Sequence, residues 1–167
     1  MKLLIFSDVH RNKKRLEAIL EEHQDAEYTI SLGDTELKCK FLEDKDIVAI
    51  RGNYPFDAGF ADEHVMTIEG KRFLFMHGHK YRVQRGIERL YYKVREVEAD
   101  FTFYGHTHVA SFDEVENAYL INPGAIHKSR SELPESYMTV VFIEKEIVLS
   151  WLDAANHALL KEIRVDR

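Results

Sequence analysis

Seven residues of this chain offer metal-ligand atoms just after short, mostly apolar runs: Asp8, His10, Asp34, Asn53, His77, His106 and His108. All present oxygen or imidazole nitrogen and none a thiolate, a donor set that suits manganese, iron or zinc. Seven donors are too many for one tetrahedral zinc. They suit two five- or six-coordinate divalent ions sharing a carboxylate, with manganese the first candidate and iron, zinc or nickel behind it. Two such ions about 3.5–4 Å apart acidify a bridging water, hold a phosphoryl oxygen and offset charge in an in-line displacement, so the chemistry implied is phosphoester hydrolysis. The stretch Tyr104-Gly105-His106-Thr107-His108 leaves one point open. Side chains two apart on a strand point the same way, whereas a loop splays them, so the two histidines either grip one ion or reach two.

Each ligand needs an element that ends beside the others. Leu3 to Phe6 is a continuous apolar run, the pattern of a strand buried on both faces of a mainly parallel sheet, and it delivers Asp8 and His10. Asn12 is placed to cap a helix from about Lys13 to His23, whose apolar stripe is Leu16, Ile19 and Leu20. A second strand, Tyr28 to Leu32, ends in Gly33-Asp34. A short helix around Glu36 to Leu42 leads to Ile47 to Ile50, which ends in Arg51-Gly52-Asn53. A hairpin of His64 to Glu69 and Arg72 to Met76, turning at Gly70, delivers His77-Gly78-His79. A helix over Gln84 to Glu98 then precedes a strand, Phe101 to Tyr104, that delivers the last two histidines. In open α/β sheets the ligand crevice lies outside the carboxyl ends of the strands, so these distant residues can meet there.

From Val109 onward the chain reads as strands separated by short turns: Val109 to Val115, Tyr119 to Ile121, Tyr137 to Ile143, Ile147 to Leu152 and Leu159 to Val165. A parallel-leaning first half and an antiparallel second half predict an α/β fold of two sheets packed face to face with helices outside. Length and apolar content allow one domain over residues 1–167 with a substantial core. The net charge of −6 argues against broad capture of a nucleic-acid backbone. A lone cysteine, Cys39, excludes an intrachain disulfide framework and points to a reducing, cytoplasmic setting. Met1 to Phe6 stops at Ser7-Asp8, short of a signal core, and no other apolar run is long enough for a membrane span. The final strands offer an edge through which copies of the chain can pair as a homo-oligomer.

Asp8-x-His10, Gly33-Asp34, Gly52-Asn53, His77-Gly78-His79 and Gly105-His106-Thr107-His108, in this order, resemble the calcineurin-like metallophosphoesterases, most closely the small single-domain phosphodiesterases of bacteria and archaea. The resemblance runs from about residue 3 to 125. It implies a four-layer α/β/β/α sandwich of two mixed sheets flanked by helices, and hydrolysis of a small-molecule phosphodiester through a metal-bridging hydroxide. It further implies that Asp8, His10, Asp34 and His108 hold one metal and that Asp34, Asn53, His77 and His106 hold the second, with Asp34 shared. Asn53, His77, Tyr54 and Arg11 are the candidates for the catalytic step, the last two on their own chemistry.

Two positions depart from the family pattern. Tyr54 follows the Gly-Asn pair where many members have a histidine that protonates the leaving oxygen. A phenol is a poorer acid than an imidazolium, so the chain is expected to favour diesters with good leaving groups over monoesters. Arg11 stands where a glycine is usual and either contacts the substrate phosphate or narrows the entrance. A rival reading keeps the fold as a protein-binding scaffold, as in the retromer subunit of this fold, and seven competent ligand positions argue against it. Among the rest, His23, His64, His127 and His157 read as surface or ordinary hydrogen-bonding residues, and His79 as a neighbour of His77 or a substrate contact. Tyr54 and Phe56 form a cleft wall or ordinary packing. Lys80, Arg82, Arg85, Lys128 and Arg130 read as solvated charge, with a phosphate-attracting rim as the alternative, and Asn122-Pro123-Gly124-Ala125 as a structural turn.

Overall fold

Alternation along the first strand dictates the layering. The computed structural model describes residues 1–55, 57 and 59–167, so the expected role of Phe56 lies outside the described residues. In β1 (Lys2–Phe6), Leu3 and Ile5 face one way and Leu4 and Phe6 the other, and all four are fully buried. Leu4 and Phe6 pack under α1 (Lys13–Glu22) and α2 (Cys39–Glu43), against Leu16, Ile19 and Leu42. Leu3 and Ile5 face Phe73, Phe75, Phe101 and Phe103 of a second sheet. That sheet covers its other face with α3 (Glu88–Val97), through Leu90 and Val94 against Leu74, Met76 and Leu120. Helix, sheet, sheet and helix follow in that order, which is the four-layer α/β/β/α sandwich.

Besides β1, the strands are β2 (Tyr28–Ser31), β3 (Ile47–Ala49), β4 (Glu63–Ile68), β5 (Lys71–Met76), β6 (Phe101–Tyr104), β7 (Ser111–Val115), β8 (Ala118–Asn122), β9 (Ser136–Phe142), β10 (Glu146–Asp153) and β11 (Leu159–Asp166). The first sheet runs β11-β10-β9-β1-β2-β3 and the second β4-β5-β6-β8-β7. Both are mixed, as the resemblance implies, and the parallel and antiparallel pairings are not divided between the chain halves. The chain's later strands do not form a sheet of their own: β8 joins the second sheet parallel to β6, and β9 crosses back to lie antiparallel to β1. The parallel runs β1-β2-β3 and β5-β6 put five strand ends on one side of the molecule.

Two helices are shorter than the periodicity suggests. The segment around Glu36 is not helical, because Glu36 has φ +54°, and α2 begins only at Cys39. Gly86, at φ +139°, breaks the run before α3, and residues 79–85 form two 3-10 turns instead. Asn12 caps α1 as expected, its side chain accepting from the Arg15 amide. No helix among the described residues is long and apolar enough to cross a membrane.

Candidate metal centre

The loops after the strands are joined backbone to backbone. Asp8, His10 and Arg11 donate their amides to the carbonyls of Gly33, Asp34 and Thr35, zipping the loop after β1 to the loop after β2. Gly105 donates to His77, while Ile126 and His127 donate to Ser7 and Asp8. Asn122, fully buried at the end of β8, donates to Gly105 O and Thr107 Oγ1, and so holds the histidine loop from beneath. At Gly105 there is no room for a side chain: a Cβ would lie 1.9 Å from Ser7 Oγ and 3.0 Å from Asp8 Oδ2.

Five of the seven expected ligands, Asp8, His10, Asp34, His106 and His108, adopt φ between +43° and +69°. Side-chain sterics disfavour this region by about 1–2 kcal/mol per non-glycine residue. Residues held there against that cost cluster at functional sites, and here their loops share one place.

The imidazoles are oriented by what they hold behind them. His77 Nδ1 donates to Leu32 O at 2.8 Å and His108 Nδ1 to Lys128 O at 2.8 Å. His10 Nδ1 donates to the carboxylate of Glu36 at 2.8 Å. With Nδ1 carrying the proton in the neutral ring, each Nε2 presents a lone pair inward. Two of these lone pairs, on His10 and His108, then face each other at 3.2 Å. His77 Nε2 similarly faces Asn53 Oδ1 at 3.1 Å and Asp34 Oδ2 at 3.5 Å.

The carboxylates complete the pattern. Asp8 Oδ2 accepts from Ser7 Oγ at 2.6 Å and from the His106 amide at 3.0 Å. Its Oδ1 is buried without a hydrogen-bond partner and lies 3.3 Å from His108 Nε2 and 3.7 Å from His10 Nε2. Asp34 Oδ1 accepts from the Tyr54 amide at 2.9 Å. Asp8, His10 and His108 form one convergent donor group, and Asp8, Asp34 and His77 another. His106 lies against His77, with ring centroids 5.1 Å apart, and His108 against His10 at the same separation. The two histidines of the Gly105-His106-Thr107-His108 stretch therefore face different partners.

Lone pairs converging on an unpartnered carboxylate oxygen are repulsive unless a cation or proton lies among them, so these residues fit divalent metal ions. The site's electrostatics point the same way. Burial works to raise the carboxyls of Asp8 and Asp34, but the histidines, led by His108 at Asp8 and His77 at Asp34, outweigh it: Asp8 falls below its ordinary value and Asp34 is pushed down to about 2. Burial works to lower His77 and His108, and the aspartates raise both instead. His106 is lowered, by burial and then by the charge of His77.

The site opens into a cleft of about 530 Å³, whose wall includes Arg11, Glu36, Asn53, His127, Lys128 and Arg130. His127, expected to be an ordinary surface histidine, stands in this wall with its ring 6.3 Å from that of His10. The cationic rim consists of Arg11, Lys128 and Arg130. Lys80 instead pairs with Asp62, and Arg82 and Arg85 line a different depression. His79 packs beside His77 and His106 at centroid separations of 5.4 and 6.1 Å. Arg11 is bonded through Nε to Glu36 at 2.8 Å, and the Tyr54 phenol together with Glu36 raises its guanidinium further above its ordinary value.

Two carboxylates at the site lie outside the sequence motifs. Glu36 falls in a segment whose pattern predicts a helix. Asp57 is only 3% exposed, and its carboxyl is raised by burial and then by the nearby charge of Asp34, with the backbone at Gly52 and Asp34 working against the rise. The spacing Gly52-Asn53 to Asp57 carries no signal for that placement.

With the fold and donor set established, comparisons with known proteins place the chain. Residues 1–145 match the calcineurin-like phosphoesterase superfamily domain, and the chain belongs to this family of metal-dependent phosphoesterases. The probable metallophosphoesterase YsnB of Bacillus subtilis is 28% identical over 160 residues, 95% of each chain. A Streptococcus pneumoniae protein described as a predicted phosphoesterase superposes with a TM-score of 0.89 at 23% identity, over 99% of this chain and 97% of that one. Vps29 of Entamoeba histolytica, solved with zinc, superposes with a TM-score of 0.74 at 21% identity, over 99% of each chain. These two structural likenesses speak to the fold.

Proposed function

We propose that the chain is a cytoplasmic phosphodiesterase that binds two divalent metal ions, manganese first among them. Asp8, His10, Asp34 and His108 hold one ion and Asp34, Asn53, His77 and His106 the other. The observation that carries this reading is the approach of the Nε2 atoms of His10 and His108 to 3.2 Å beside the unpartnered Asp8 Oδ1, with each Nδ1 bonded to an acceptor elsewhere. When bound, the ions supply an activated water and offset phosphoryl charge.

The chain's own residues perform the remaining work. Leu32 O, Lys128 O and Glu36 fix the three imidazoles in the tautomer that ligates. Arg11, Lys128 and Arg130 give the cleft a cationic rim that draws in a phosphate ester and orients it. Tyr54 stands where an imidazolium would protonate a basic leaving group. Its phenol donates a hydrogen bond but is a weak acid, which favours diesters with good leaving groups.

The test is metal analysis together with hydrolysis of a bis-aryl phosphate and an aryl monophosphate, for wild type and His108→Ala. Two metals per chain, diesterase activity exceeding monoesterase activity, and loss of both metal and activity in His108→Ala are expected. Fewer than two metals with no activity on either ester would favour the scaffold reading. Comparable monoesterase activity would overturn the argument from Tyr54.

A further inference from the structure

Among the three imidazoles of the site whose Nδ1 is anchored, His10 alone is anchored by a side-chain carboxylate. Glu36 Oε1 accepts a hydrogen bond from His10 Nδ1 at 2.8 Å, while Oε2 accepts one from Arg11 Nε, also at 2.8 Å. The Glu36 side chain is 18% exposed, whereas that of Arg11 is 69% exposed, so the carboxylate is the fixed member of the pair. Its position is set by the backbone. Glu36 sits at φ +54° just past Thr35, and the amides of His10 and Arg11 are bonded to the carbonyls of Asp34 and Thr35. Two adjacent residues of one loop therefore meet the two oxygens of one carboxylate in the other.

We propose that Glu36 is a positioning residue that serves the metal site and the substrate contact at once, fixing His10 through one oxygen and Arg11 through the other. This rests on the dimetal phosphodiesterase reading above. A carboxylate behind a ligating imidazole raises its basicity and locks its ring, and loss of such a partner weakens metal binding by about 10–100-fold. The same carboxylate holds a long, exposed arginine at the cleft wall, where an untethered side chain would lose entropy on meeting an anion.

Glutamine separates the two roles. It keeps one carbonyl acceptor for His10, but its amide nitrogen cannot accept from Arg11. The experiment titrates metal-free wild type, Glu36→Ala and Glu36→Gln with manganese by calorimetry, and measures kcat and KM on a bis-aryl phosphate with saturating metal. Glu36→Ala is expected to weaken one of the two ions by about 10–100-fold and leave the other unchanged. Both variants are expected to raise KM through the freed Arg11, Glu36→Gln is expected to recover most of the lost metal affinity, and neither variant should raise KM further when combined with Arg11→Ala.

Unchanged affinity for both ions in Glu36→Ala would overturn the proposal and leave the dimetal reading standing. Equal weakening of both ions in Ala and Gln variants, with a lowered melting temperature, would assign Glu36 a general structural role and also overturn it. Failure of the wild type to bind two ions would sink the dimetal reading itself, and this inference with it.

Discussion

Replacing Gly52 by alanine tests whether the centre depends on close approach of the loop after β3 to Asp34. A Cβ at this position would lie 2.0 Å from Asp34 Oδ1, 2.5 Å from Asp34 N and 2.8 Å from Asp34 Cγ. Such contacts are not tolerated below about 3 Å, so the loop or the aspartate must move by roughly 1 Å. Rotating the Asp34 side chain does not suffice, because the backbone amide also clashes. Forced overpacking of this kind costs about 1–3 kcal/mol, which for a chain of this size lowers the melting temperature by about 2–12 °C. The movement also shifts the carboxylate proposed to be shared by both ions, and displacement on the 1 Å scale costs about 100-fold in a catalytic rate. Gly59→Ala is the internal control, since nothing lies within 4 Å of a Cβ there. The assay is thermal unfolding of metal-free protein, then manganese titration and diester hydrolysis. A Gly52→Ala protein that melts and binds manganese as the Gly59→Ala protein does would refute the reasoning.

Away from the site, His23 rests on the buried Tyr137, its Nε2 2.7 Å from the phenol oxygen, and its imidazole is pushed down from 6.5 to about 4, by burial first and then by Lys2. The unfolded chain takes up this proton near pH 6.5 and the folded chain only near 4, so stability is complete above 6.5 and is lost as pH falls through that interval. The gap corresponds to about 3 kcal/mol, or about 1–2 kcal/mol after discounting for the ring's partial exposure; urea midpoints at pH 7 and 4.5 should fall less for His23→Gln than for wild type, and equal falls would contradict this. Asn122→Leu strands the buried Gly105 carbonyl and the Gly124 amide that bonds to Asn122 Oδ1, so a loss of about 2–5 kcal/mol in urea unfolding is expected, and a loss below 1 would count against the anchoring role. At His106, with φ +69°, the usual preference for alanine over glycine should reverse. In metal-free protein His106→Gly is expected to be about 1 kcal/mol more stable than His106→Ala, and the opposite order would show that the backbone there is not strained.

What the sequence made legible, and what it did not, divides along a physical line. Strands buried on both faces appear as apolar runs, so the ends of β1, β5 and β6, and with them most of the proposed ligand positions, could be read directly, while the end of β2 was marked by Gly33-Asp34. The sheet that each later strand joins could not. β8 and β9 are equally apolar and are separated by residues 123–135, and nothing in their periodicity says that the chain crosses from one sheet to the other between them. Local geometry at the site was hidden for a different reason. Positive φ is ordinarily announced by glycine, yet Asp8, His10, Asp34, Glu36, His106 and His108 all adopt it with full side chains. Six such residues cost roughly 6–12 kcal/mol against local preference, comparable with the whole net stability of a domain. They persist because the neighbouring loops bond to one another through Gly33 O, Asp34 O, Thr35 O and His77 O, and because Asn122 holds the histidine loop from beneath. A reading based on local propensity fails at such residues because long-range contacts hold them against it. That failure falls on the proposed ligands and on Glu36, which the helical pattern had claimed, and so marks where this fold gives up stability to assemble its centre.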